Sequence, residues 1–256
     1  MKKILILSIS FLFLFSACNV PTYPKESMDQ SLKELIKKES GIDSTVTIIG
    51  NTIYLDIETE GFLSSDDKDL QDAQHNFSVA VSNILRVVLS SDSNIKYMVV
   101  NAFTPQKNIL YRYIQNIDDY KSYYYERISR DDYFSRNILE LKAGKDIVKK
   151  IIDDKHEITN DEFAGRLIVA DIERLGYRNP FLGEIIRLVS PEYGGISGNI
   201  LTLKTKAQKI DSETKQILET AINNSGKEFA GKYKANIKQI NLAGYNNKTY
   251  IKVRLS

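Results

Sequence analysis

Cysteine occurs once in this chain of 256 residues and histidine only twice. A single cysteine has no partner for an internal disulfide, so the fold has to stand on its core. With His75 and His156 alone, a His-rich metal centre is out of reach, and a Ser-His-Asp set would have to recruit one of the two. A membrane-spanning run is missing as well. The longest apolar stretch, Ile4 to Phe15, has twelve positions with Ser8 and Ser10 among them, whereas crossing the bilayer core takes about 20.

An excess of one charge is absent from the body of the chain. There are 35 basic and 33 acidic residues, and Lys2 and Lys3 account for the whole difference. Beyond them the sequence is formally neutral, so it has no global field to draw in nucleic acid or anionic lipid. No nucleic-acid partner is expected. The rest is 42% hydrophobic and 27% charged, a globular composition with room for one large domain or two small ones.

Lys2 and Lys3 precede the apolar run, Ser16 and Ala17 follow it, and Asn19, Pro21 and Pro24 end it. This is the layout of a secretory signal peptide over residues 1–17. Phe15-Ser16-Ala17-Cys18 resembles the lipobox of bacterial lipoproteins, with Phe15 where leucine is usual. The resemblance implies that Cys18 receives a diacylglycerol thioether, that the leader is cut before it, and that the new amino terminus is acylated. Two or three acyl chains make such anchoring stable. The expected location is the extracytoplasmic side of the cell envelope, with the membrane as a partner through the lipid. Asn19 in place of aspartate implies the outer membrane in organisms that have one.

Residues 18–28 read as the lipidated cysteine and a proline-containing tether, which in extended form reaches about 30 Å. Then comes an α+β pattern. Leu32, Leu35 and Ile36 mark a helix stopped by Gly41. Alternating residues on either side of Gly50-Asn51 mark a hairpin. A long amphipathic helix is expected from about Asp69 to Ser90, followed by strands over 94–103 and 108–117. The order helix, strand, glycine turn, strand, helix, strand over roughly residues 30–103 is similar to a BON domain, a module of exported envelope proteins.

Capping signals at Ser129 and Thr159, with Asn179-Pro180, predict helices through a middle section. The first of them should run to Leu141. The last section repeats strand, helix, strand, strand. Gly198-Asn199 and Asn236-Ile237-Lys238 echo Gly50-Asn51 and Asn94-Ile95-Lys96. The expected organisation is an α+β fold of two β-α-β-β-type units, residues 29–128 and 193–256, bracketing a helical insert at 129–192, with the two units a candidate duplication.

Three stretches approach catalytic motifs and miss. His156-Glu157 opens like the zinc-protease H-E-x-x-H, but Asn160 holds the fifth place. Gly226 through Tyr233 follows the phosphate-binding G-x-x-x-x-G-K, but Tyr233 replaces the magnesium-binding hydroxyl and no strand precedes it. Gly195-Ile196-Ser197-Gly198 is one residue short of a nucleophile elbow. No catalytic residue, metal or cofactor is expected from them.

The segment 118–136 is different. It packs Tyr120, Tyr123, Tyr124, Tyr125 and Tyr133 among Arg127, Arg130 and Arg136, and tyrosine and arginine are enriched at binding hot spots. Read as a strand over 121–127, it places Tyr123, Tyr125 and Arg127 on one face as a candidate surface for an envelope protein or a cell-wall glycan. The expected function is a lipid-anchored, non-catalytic binding or structural protein. The alternative is an envelope hydrolase working with carboxylates such as Asp118 and Asp119.

Overall fold

The computed structural model describes residues 23–59, 66–104 and 108–255. Cys18 and the signal peptide expected over residues 1–17 lie outside them. By contact density the chain divides into two compact units, Met1–Tyr111 with Lys142–Lys155, and Arg112–Leu141 with His156–Ser256.

In the first unit α1 (Met28–Ser40) presents Met28, Leu32 and Ile36 at four-residue intervals, all fully buried. Gly41, at φ 72°, ends it by donating its amide to the Lys37 carbonyl, a left-handed cap that glycine adopts without cost. Strands β1 (Ser44–Ile49) and β2 (Thr52–Glu58) pair antiparallel about the Gly50-Asn51 turn. The Asp66 carboxylate caps α2 (Asp67–Leu89) by accepting from the Lys68 and Asp69 amides. The chain then returns as β3 (Tyr97–Thr104), parallel to β2. Parallel neighbours need such a crossover helix. β2 and β3 are covered on both faces and accordingly read as almost continuous buried runs.

Strand β4 (Ile109–Asn116) follows, and a later strand, β5 (Ile138–Ala143), completes a five-stranded sheet of order β1-β2-β3-β4-β5. The division between the units passes through β4 and β5 themselves. Helix α3 (Ile117–Tyr124) and helix α4 (Arg130–Ser135) lie between these strands, and α5 (Ile147–Asp153) follows β5. In the first unit, Val148 and Ile151 of α5 pack with Leu110.

In the second unit α6 (Asn160–Arg178) and α7 (Pro180–Val189) form a helical hairpin, capped at Thr159 and Asn179. Strands β6 (Glu192–Ser197) and β7 (Ile200–Thr205) are joined by the Gly198-Asn199 turn. α8 (Ser212–Lys232) then crosses over to β8 (Gln239–Gly244), and β9 (Thr249–Arg254) closes a sheet of order β6-β7-β8-β9. Here too the inner pair, β7 with β8, is parallel.

The two units repeat one architecture. In each, a helix (α1 or α6) packs on the crossover helix and on the first strand of the hairpin. In each, the asparagine of the turn accepts two amides from the strand that returns. Asn51 takes those of Lys96 and Tyr97 at 2.8 and 3.1 Å, and Asn199 those of Lys238 and Gln239 at 2.9 and 3.3 Å. Asn51 with Asn199, and Lys96 with Lys238, are among the positions that share letters in the sequence.

Two expectations are corrected. Residues 121–127 are not a strand: Asn116 caps the Asp118 and Asp119 amides, two acids occupy the first turn, and helix runs to Tyr124. The helix begun at Ser129 stops at Ser135, after which the alternating Ile138–Ala143 joins the sheet.

Candidate functional site

The tyrosine-rich segment is two short helices rather than a strand, and the helical period sorts its rings. Tyr120 and Tyr124, one turn apart on α3, stack with centroids 6.2 Å apart. Tyr123 stacks on Tyr133 of α4 at 4.5 Å and 12° between planes. Tyr133 is the keystone: it is buried, meets Tyr120 edge-on, contacts Phe134, and accepts at its hydroxyl from the Gln115 amide. Burial, and secondly the neighbouring Tyr133, raises the pKa of Tyr120. Tyr113 is raised for the same two reasons. These phenols stay neutral.

The base beneath the rings is ionic. Asp119, on the inner side of α3, accepts from Arg136 at 2.8 Å and from the Tyr233 hydroxyl at 2.5 Å. Arg136 also reaches Asp132. Its burial opposes the charge, but Asp119 and Asp132 outweigh that and hold its pKa above the usual value. Lys232 approaches Asp132 at 3.7 Å. Both short helices are thereby tied to the end of α8, and Phe163 of α6 meets the Tyr233 ring edge-on.

On the outside Tyr124 and Tyr125 are 64% and 63% exposed, nearly perpendicular, with centroids 5.4 Å apart. Arg127 sits over the Tyr125 ring at 5.6 Å, and Arg130 over Phe134, itself half exposed, at 5.5 Å. Of the residues singled out in the sequence, Tyr125 and Arg127 are therefore together on the surface. Tyr123 does not share their face; it is half-buried in the stack that supports them. Tyr124, which the strand reading turned to the opposite side, belongs to the exposed group. The roles of Tyr133 and Tyr233 had no sequence signal, since both depend on contacts between separate elements.

The carboxylate pair Asp118 and Asp119 does not converge. On a helix neighbouring side chains diverge by about 100°. Asp118 is exposed and pairs with Lys121 at 3.2 Å, whereas Asp119 points inward. The near-motifs are absorbed structurally. His156 bonds Glu162 at 2.8 Å, and the Asn160 side chain donates to the Tyr233 carbonyl. Gly226 lies inside α8 against Ile240 and Leu255, and Gly198 makes the β6–β7 turn at φ 60°. Among the described residues no group of three His, Cys, Asp or Glu could hold a metal ion.

The second unit also carries a concavity of about 690 Å³ between α6, α7 and β5, lined in part by Leu139, Leu141, Tyr177 and Ile186 with Glu173 and Glu184. Burial, and then the charge of Glu140, holds the Glu173 carboxyl above its ordinary range.

No family model, curated protein or solved structure matches this chain.

Proposed function

We propose that the protein is a lipid-anchored component of the cell envelope, held by acyl chains on Cys18, that binds a partner without chemistry through the aromatic face of α3 and α4. The observation that supports it is the exposure of Tyr124 and Tyr125 on a base already locked by the Tyr123–Tyr133 stack and by Asp119. Rings held in place before contact have little freedom left to lose, which favours binding. Flat phenols with polar tips, beside a guanidinium, suit the C–H faces and hydroxyls of sugar rings, so a cell-wall glycan is the ligand to try first, ahead of an envelope protein.

Co-sedimentation with purified cell-wall sacculi tests this. Wild type should sediment and Tyr124→Ala/Tyr125→Ala should stay in solution. Equal sedimentation of both, or none of wild type, would remove the glycan. For the anchor, a labelled fatty acid should mark wild type and not Cys18→Ala, which should also leave the membrane fraction.

The second reading, a hydrolase, places its carboxylates at Glu173 and Glu184, which line one cleft of the second unit. Soluble sugar released from the same sacculi, and lost in Glu173→Gln, would favour that reading over binding.

A further inference from the structure

The described chain begins at a fixed point. Tyr23 bridges to Ser91 and donates its amide to the Ser90 carbonyl at 3.4 Å, and the Lys25 amide donates to Asp92 at 3.0 Å. A short 3-10 turn, Lys25–Ser27, leads directly into α1, whose first residue, Met28, is fully buried. The segment expected to be a tether up to residue 28 is thus docked from Tyr23 onward, at the C-terminal end of α2.

Only five peptide steps separate Tyr23 from Cys18, a reach of at most about 18 Å. Along α2 the distance from Leu89 back to Gln71 is about 27 Å. We infer that the end of the first unit formed by Leu89, the 90–96 loop and the Gly50-Asn51 turn is a membrane-contacting surface, whose partner is the lipid headgroup layer. This rests on the lipid anchor proposed above.

Two further observations agree with it. Leu89 is a large apolar side chain left 39% exposed beside the docking point, suited to the headgroup boundary. The opposite end of α2 carries Asp66, Asp67, Asp69 and Asp72, all exposed, against Lys68, and an anionic lipid surface repels such a cluster. An orientation with Gln71 on the bilayer and Leu89 turned away exceeds the reach of the chain. The Gly50-Asn51 turn belongs to the near end because its asparagine carbonyl holds the Lys96 amide.

The experiment uses the full-length lipidated protein in phosphatidylcholine/phosphatidylglycerol vesicles. Lipidation consumes the only native thiol, so a cysteine introduced at Leu89, Asn94 or Gln71, all exposed positions, is the single site for a fluorophore. A quencher is carried on the lipid headgroups. Labels at 89 and 94 should be quenched several-fold more than at 71, and the contrast should vanish when ten Gly/Ser residues are inserted before Tyr23. Two positions at the near end keep the test valid if one variant folds poorly. Protein that floats with vesicles but shows equal quenching at the three sites overturns the surface and leaves the anchor standing. Protein that does not float, and whose Cys18 also takes the label, overturns the anchor and the surface with it.

Discussion

The Tyr233 hydroxyl donates to the Asp119 carboxylate, joining the residue that caps the C-terminus of α8 to the buried side of α3. Arg136 holds the other oxygen of the same carboxylate. Removing the hydroxyl in Tyr233→Phe deletes one bond to a charged acceptor and should cost about 1.5–3 kcal/mol. Asp119→Ala should cost more, about 3–5 kcal/mol, because it removes two charge-assisted bonds at once, from Tyr233 and from Arg136, and leaves Arg136 only Asp132 of its two carboxylates. Urea unfolding of the two single variants and the double variant checks both values, and a double loss well below their sum would show the coupling.

In the first unit Lys155 reaches Asp56 at 2.5 Å and Thr47 at 3.2 Å, while Asn101 donates to Asp56 at 2.7 Å. Asp56 and Asn101 are register partners on β2 and β3. Lys155→Met leaves a buried carboxylate without its cation and should destabilise by about 3–5 kcal/mol, whereas Lys155→Met/Asp56→Asn should recover most of the loss. Denaturant midpoints of the three proteins decide it.

Gly176 and Gly183 bring α6 and α7 together. A Cβ on Gly183 would stand 2.6 Å from the Gly176 carbonyl oxygen, and backbone cannot swing aside as a side chain can. Gly183→Ala should therefore cost about 1–3 kcal/mol. Gly231, in the last turn of α8, has nothing within 4 Å of its Cβ position, so Gly231→Ala should stabilise by about 0.5–1 kcal/mol. Thermal melts of the two alanine variants should move in opposite directions.

Within the aromatic face, support and contact separate. Tyr123→Ala breaks the stack on Tyr133 and should lower stability by at least the 0.5–1.5 kcal/mol of an aromatic pair. Tyr125→Ala, at an exposed position, should change it by less than about 0.5 kcal/mol. Unfolding curves that moved equally would mean Tyr125 is part of the core.

Glu173 has its carboxyl pKa raised by burial and by Glu140, so the folded protein disfavours its ionised form. That penalty is present above the raised folded value and disappears below the unfolded carboxylate range, near 4.3. Glu173→Gln should stabilise at neutral pH, with the gain shrinking as pH falls toward 4. A gain independent of pH would assign it to packing.

Much of the α+β pattern could be read from local signals. Gly41 and Asp66 bracket helices through their own backbone chemistry, Gly50-Asn51 forms the tight turn of the expected hairpin, and α2, α6 and α8 end within two residues of where their periodicity ends, whereas β6 ahead of Gly198-Asn199 had no place in the expected strand order. The tyrosine segment was misread because a short stretch of tyrosines has similar apolar content at periods of two and 3.6, and the Asn116 cap decided for helix. Its exposed group consequently changed from Tyr123 with Tyr125 to Tyr124 with Tyr125.

By itself the sequence determined what depends on neighbours along the chain: the single cysteine at the end of an apolar run, the neutral charge beyond Lys3, the helix caps and the Gly50-Asn51 turn. Tertiary structure alone decided that β5 pairs where a helix was expected, that Tyr133 lies beneath the aromatic face, that Asp119 turns inward to Tyr233, and that Tyr23 docks beside Leu89. Each of these joins residues distant in sequence, where burial and hydrogen bonding between elements outweigh local preference.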